Sequence, residues 1–388
     1  MNFENEIIKV FQSTTNSYKY YWWHSILQLI KKNGESTLSL NDIAIKMIAF
    51  SWYPVNYYKL SLGKQDQLAK YIKEIKTHFN ELNDDIKEED LISFLNDKKE
   101  SLLIKNIINK LIKYVPYRFI RNWFDETIGV NDAKVNSLII SLQDIKFKTI
   151  PYIIDLKKNE IKLNKNWLEW IYSNIKIIES FTLFELFKYV EKNNPYVSNI
   201  SLKLFKPHSR KLSTSTKLWK SFIESKGYES RSVFENKPFV LFNKMAIDHY
   251  LPWSLVTHDK LWNLHPIEQE VNSSKSNKIA DNKYIGDFTN LQFSFIHHIS
   301  SLNPKYLEDY FTLFEFSAKW DPVPTMLTQN HESIIKGFMG QTTSFDRATV
   351  KSNVLVLGES KVNREARYIH GTKGKGKLNQ NQGLLFIQ

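Results

Sequence analysis

Between Leu102 and Val115 the apolar residues fall at Leu103, Ile104, Ile107, Ile108, Leu111, Ile112 and Val115. This is the period of a helix with one apolar stripe, and no strand can carry it. A stripe that long must be covered by other elements. Residues 1–145 are therefore expected to form a helical domain. Neighbouring runs agree. Tyr18 to Lys32 repeats at helical spacing and stops at Asn33-Gly34. A further helix is expected after Asn41, running to Trp52 and ending before Pro54, and Pro116 is expected to close the run that opens at Leu102.

The period changes near residue 147. Phe147–Asp155 and Glu160–Leu163 flank a Lys-Lys-Asn turn and predict a hairpin. Helices then resume. Thr182 and Glu185 form a capping-box pair ahead of Leu186 and Phe187, and Thr216–Ile223 reads as one more short helix. Residues 146–232 are expected to be a mixed, mainly helical domain. From Lys237 to His249 the pattern turns strand-like, and residues 233–300 form the next unit. Leu302–Lys319 reads as helix within a 301–345 segment, and Val354–Leu357 as an edge strand. Residues 346–388 are expected to be a loose tail, because GTKGKGKLNQNQG is too polar and repetitive to build a core.

The chain has 388 residues, enough for several cores. It has no cysteine, which excludes disulfides and any thiolate zinc site and fits a reducing compartment. The N-terminal MNFENEIIKVFQ is amphipathic and partly acidic, unlike a signal peptide. No apolar run reaches the roughly 18 residues of a membrane span. A cytoplasmic protein with no membrane partner is the expectation. The net charge is +12, from 53 Lys+Arg against 41 Asp+Glu. That excess favours a polyanionic partner, although a soluble basic surface accounts for it equally well.

The chemistry concentrates in IDHYLPWSLVTHDKLWNLHPIEQEVNSSKSNK, from Ile247 to Lys278. It contains an Asp248-His249 pair, Pro252, an Asn263 in a Trp-Asn-Leu context, and Asn272-x-x-Lys275. Asn263 lies 14 residues after His249 and Asn272 lies 23 after it. This set resembles the HNH, or ββα-metal, endonuclease family. The resemblance implies an α+β protein: mainly helical, with an embedded ββα-metal nuclease domain. A two-stranded ribbon would carry the Asp-His pair, and the following helix the last ligand.

Phosphodiester hydrolysis needs an activated water, an electrophilic phosphorus and a stabilised leaving oxygen. His249 suits a general base, since imidazole takes up protons near neutral pH. Asp248 leaves the strand on the opposite side and would bind metal there. Asn272, at the start of the helix, would add a second oxygen, with the two side-chain oxygens within about 5 Å of each other. Two protein oxygens suit Mg²⁺, with Mn²⁺ as a substitute. Lys275 is positioned for a phosphate or the pentavalent state, and Lys278 for a weaker backbone contact. By resemblance, Asn263 pins the loop between ribbon and helix and the products carry 5′ phosphates. Many relatives brace the ribbon with a four-cysteine zinc site. Here no structural zinc is expected, and apolar packing by Trp253, Leu255, Trp262 and Phe239 would replace it.

Softer signals lie elsewhere. Lys206, Arg210 and Lys211, with Lys203, Lys217, Lys220, Phe205 and Trp219, make either a phosphate-binding stripe or a solvated face. Tyr20, Tyr21, Trp22 and Trp23 read as core more readily than as base-stacking residues, and His258 and His265 as loop or surface residues. Lys373, Lys375 and Lys377 could brush DNA from the tail. AFSWYPVNYYKLSLGKQDQL and KNNPYVSNI resemble segments of bacterial stand-alone HNH proteins, which associates the chain with restriction or anti-phage systems. The leading expectation is a DNA endonuclease, working alone, as a homodimer or with a partner protein. A relic HNH fold that only binds or senses nucleic acid, and an RNA-directed nuclease, are the alternatives.

Overall fold

The computed structural model describes residues 2–311, apart from 13, 198, 207–211 and 227–228, together with a short strand at 354–355. The chain divides into two units, Met1–Leu355 and Val356–Gln388, and the second lies outside the described residues. So do Arg210, Lys211, the tail lysines, the low-complexity run and residues 312–319 of the expected Leu302–Lys319 helix, whose described part is a 3-10 turn at Pro304–Leu307 and a short helix at Glu308–Phe311.

The N-terminal part is built from α1 (Phe3–Gln12), α2 (Tyr18–Asn33), β1 (Thr37–Ser39), α3 (Leu40–Asn56), α4 (Gln67–His78), α5 (Glu88–Asp97), α6 (Leu102–Ile120) and α7 (Asp132–Lys146). α2 ends at Gly34, whose φ of 69° favours a residue without a Cβ and whose N–H caps the Ile30 carbonyl. The aromatic run at Tyr20–Trp23 is core: all four residues are buried, and Trp22 Nε1 donates to the Tyr152 hydroxyl at 2.9 Å. Two expected stops are overrun. α3 passes through Pro54 and α6 through Pro116. Each proline sits in the last turns, where it removes one backbone bond. Burial of Val55 in one helix, and of Tyr117, Phe119 and Ile120 in the other, outweighs that loss at roughly 1.5–3 kcal/mol per large side chain.

The predicted hairpin is present as β2 (Tyr152–Asp155) and β3 (Glu160–Leu163), with β1 added as an unforeseen third strand on the other side of β3. Residues 147–151 stay outside the strand. Next comes α8 (Lys165–Asn193), a single helix where a fresh start at Thr182 was expected. Thr182 lies in its interior and its hydroxyl bonds back to the Ile178 carbonyl at 2.7 Å. The cap is Asn164, whose side chain accepts from Asn166 N and Trp167 N. One apolar core runs from Ile7 to Leu204, ending in α9 (Ile200–Lys203) and its flank.

The remainder comprises α10 (Ser213–Lys226), β4 (Met245–His249), α11 (Trp253–Val256), β5 (Leu264–Glu268), α12 (Gln269–Lys275), β6 (Ile279–Ala280), α13 (Ile285–Leu302), α14 (Glu308–Phe311) and β7 (Val354–Leu355). The strand-like stretch from Lys237 is shorter than expected. Phe239–Leu241 is a 3-10 turn, and only Met245–His249 extends. β7 pairs parallel with β6. No helix among the described residues is long and apolar enough to cross a membrane.

Candidate active site

β4 and β5 form an antiparallel ribbon in which Asp248 faces His265 and His249 faces Leu264. β5 pairs on one side only, so Pro266 is tolerated within it. α12 follows β5 without a break and packs back on both strands, giving a strand–strand–helix unit. The loop from Tyr250 to Trp262 leaves and re-enters the ribbon at one neck, and Asn263 closes that neck. Its Nδ2 donates to the Leu251 carbonyl and its Oδ1 accepts from Leu251 N, both at 2.8 Å, while its carbonyl accepts from Tyr250 N. Asn263 is fully buried, so each of these bonds is shielded from water.

Asp248 and His249 send their side chains to different partners, as alternation along a strand requires. Lys275 Nζ donates to Asp248 Oδ2 at 2.8 Å and to the His249 carbonyl at 2.7 Å. The lysine has no exposed surface, and its cation is committed to the strand. Asn272 lies three residues earlier on α12, and so shares the helix face that reaches Asp248. Its side chain is half-buried and bonds to no described residue; neither does Asp248 Oδ1. Lys278 Nζ donates to the Ser274 carbonyl at 3.2 Å, at the open end of the same helix.

His249 is buried, and its Nε2 lies 2.8 Å from Asp259 Oδ1. A carboxylate only accepts, so the proton of a neutral imidazole sits on Nε2 and its lone pair on Nδ1. Sequence reasoning missed Asp259. The residue stands in the loop ten positions after His249, and no spacing rule brings it back to the strand.

The ribbon is braced by apolar and polar contacts. Trp253, Trp262 and Phe239 are buried as expected, while Leu255 is only half-buried. The unforeseen part of the brace is polar and comes from α13 and α14. Gln292 Nε2 donates to the Leu264 carbonyl at 2.6 Å, and the Tyr310 hydroxyl donates to Gln292 Oε1. Asp309 accepts from Lys260 Nζ and from Leu261 N. At the other end Lys237 and Asn243 N both bond to Glu268.

Several softer expectations change. His265 is fully buried among Phe234, Tyr250 and Phe288, so it is a core residue; burial pushes its pKa down to about 4. His258 is half-buried against Trp262, and burial lowers its pKa too. The ring nitrogens of His298 meet the Ser221 and Ser225 hydroxyls and tie α13 to α10. Three members of the basic run have partners among the described residues. Lys203 is buried and donates to the Leu255 carbonyl, Trp219 is buried and stacked on Phe295 at 3.6 Å, and Lys206 is paired with Asp85.

Residues 237–280 match the model of the HNH endonuclease family. Comparison with curated proteins and with solved structures gives no match.

Proposed function

Taking an HNH endonuclease domain at residues 237–280 as the premise, we propose that this chain hydrolyses phosphodiester bonds of DNA with His249 as general base. The observation that carries the reading is the buried His249–Asp259 pair beside the Lys275–Asp248 pair at the end of one strand. Asp259 occupies Nε2 and turns the Nδ1 lone pair toward an attacking water. Asn263 holds the neck of the loop that carries Asp259, which keeps that orientation fixed.

The donors present fit a divalent cation. Asp248 Oδ1 and the Asn272 side chain are oxygen donors with no other partner among the described residues. No cluster of three or more His, Cys, Asp or Glu side chains forms a metal site among those residues. A two-oxygen site that leaves the rest of the shell to water and phosphate suits Mg²⁺, with Mn²⁺ as a substitute. Such an ion, when bound, polarises the phosphate and stabilises the leaving oxygen. Lys275 fixes the Asp248 carboxylate through Oδ2, which leaves Oδ1 for the metal. Lys278, Lys206, Arg210 and Lys211 are assigned weaker contacts to the nucleic-acid backbone.

The test is cleavage of supercoiled plasmid in Mg²⁺, with EDTA and His249→Ala as controls. Metal-dependent nicking that His249→Ala loses by at least about 10²-fold is the expected result. Wild-type protein that cuts neither duplex, single-stranded DNA nor RNA in Mg²⁺ or Mn²⁺ overturns the reading. Cutting of RNA alone overturns its DNA part.

A further inference from the structure

The helical core at Ile7–Leu204 contains a cleft of about 310 Å³ with a distinctive lining. The turn between α1 and α2 meets the end of α6 and the 3-10 turn after it. There Lys19, Arg118 and Arg121 converge with Thr15, Asn16 and Asn122. Every charged side chain among the described lining residues is a cation, and no carboxylate lines the cleft. Asp132 reaches both guanidinium groups from outside, but its side chain is 75% exposed and so screened by water.

The guanidinium groups are held in advance. Arg121 donates to the Thr127 hydroxyl and carbonyl and to Asp132. Arg118 donates to Asn136 Oδ1 and to the Asp132 carbonyl. Each guanidinium has five N–H groups, so both retain donors, and neither needs much further ordering to accept an anion. The close packing of like charges has a cost. Burial, and then repulsion from Arg121, lowers the Lys19 pKa to about 8. A dianion entering the cleft relieves that repulsion.

We propose that this cleft binds a phosphate monoester or pyrophosphate group. Two guanidinium forks beside an ammonium match its charge and its several oxygens better than they match a carboxylate. The volume is at the small end of ligand cavities and far too small for a duplex. What enters is therefore a single phosphorylated end, and that group has two sources: a free nucleotide or the 5′ end of a nucleic acid strand.

The experiment uses the full chain in EDTA, which separates it from any nuclease activity. Thermal melting and calorimetric titration are run with pyrophosphate at constant ionic strength. Wild type and Lys165→Gln, a change at an exposed site on α8, should both be stabilised by about 3 °C or more at saturating ligand. Lys19→Gln should bind roughly tenfold more weakly, as loss of a charge-assisted bond requires. Arg121→Lys, which keeps the charge but loses the fork, should fall between them. Competition by AMP or by a 5′-phosphorylated dinucleotide, against its 5′-hydroxyl form, identifies the source. No stabilisation of wild type overturns the proposal. Equal binding by Lys19→Gln, marking a nonspecific ionic effect, also overturns it.

Discussion

A buried histidine can serve as a base only if its ring cannot turn, and here Asp259 holds the ring. A hydrogen bond at 2.8 Å to a side chain that is itself one quarter exposed supplies both orientation and charge. Asp259→Asn should lower kcat by about 10²-fold or more while leaving KM and melting temperature nearly unchanged, and Asp259→Glu should recover part of the loss. A purely structural role would instead lower stability in step with activity. The placement of Asp248 and His249 on a ribbon strand, and of Asn272 and Lys275 on the helix after it, was legible in the sequence because strand alternation and the start of a helix fix relative positions over a short span. Asp259 was not, because its place depends on the path of a loop with a left-handed turn at Thr257. The bonds that commit Lys275 were equally hidden, since a sequence does not reveal which carbonyl a long side chain will meet.

Among the elements, the brace on β5 is where local bonding matters most. Gln292 bridges the Leu264 carbonyl and the Tyr310 hydroxyl, and all three residues are buried. Gln292→Leu removes both bonds, takes the donor from the buried Leu264 carbonyl and should cost about 1–3 kcal/mol. Hydrogen exchange should quicken at residues 261–268, and nuclease activity should fall at temperatures where α2 and α8 remain protected. Unchanged exchange in β5 would remove Gln292 from the brace. The sequence pattern located α2, α6 and the hairpin, because apolar spacing is a local property. It misplaced the ends of α3 and α6 because tertiary burial beyond Pro54 and Pro116 outweighs a single lost backbone bond. Likewise it divided α8 at Thr182, since a capping pair and an interior threonine look alike until the hydroxyl's partner is known.

Over the whole molecule, acid stability should depend on His24, buried against Phe50 in the helical core. Burial, and then the charges of Lys46 and Lys31, lowers its pKa to about 3. The unfolded chain takes up this proton near pH 6.5 and the folded chain does not until much lower pH. Stability from this group is therefore complete above about pH 6.5 and falls by about 1.4 kcal/mol per pH unit as acid is added. Unfolding free energies from urea titration at pH 7 and pH 5 should differ by about 2 kcal/mol more in wild type than in His24→Phe. Equal differences would place the acid sensitivity elsewhere. The polar brace has a separate consequence for biosynthesis. A ribosome releases the chain from its N-terminus, and N-terminal domains fold first. The helical core is complete by Leu204, but the strand beside His249 keeps unmet bonds until Gln292, Asp309 and Tyr310 have emerged. The ribbon that carries His249 would thus remain unbraced until residue 310 has left the ribosome.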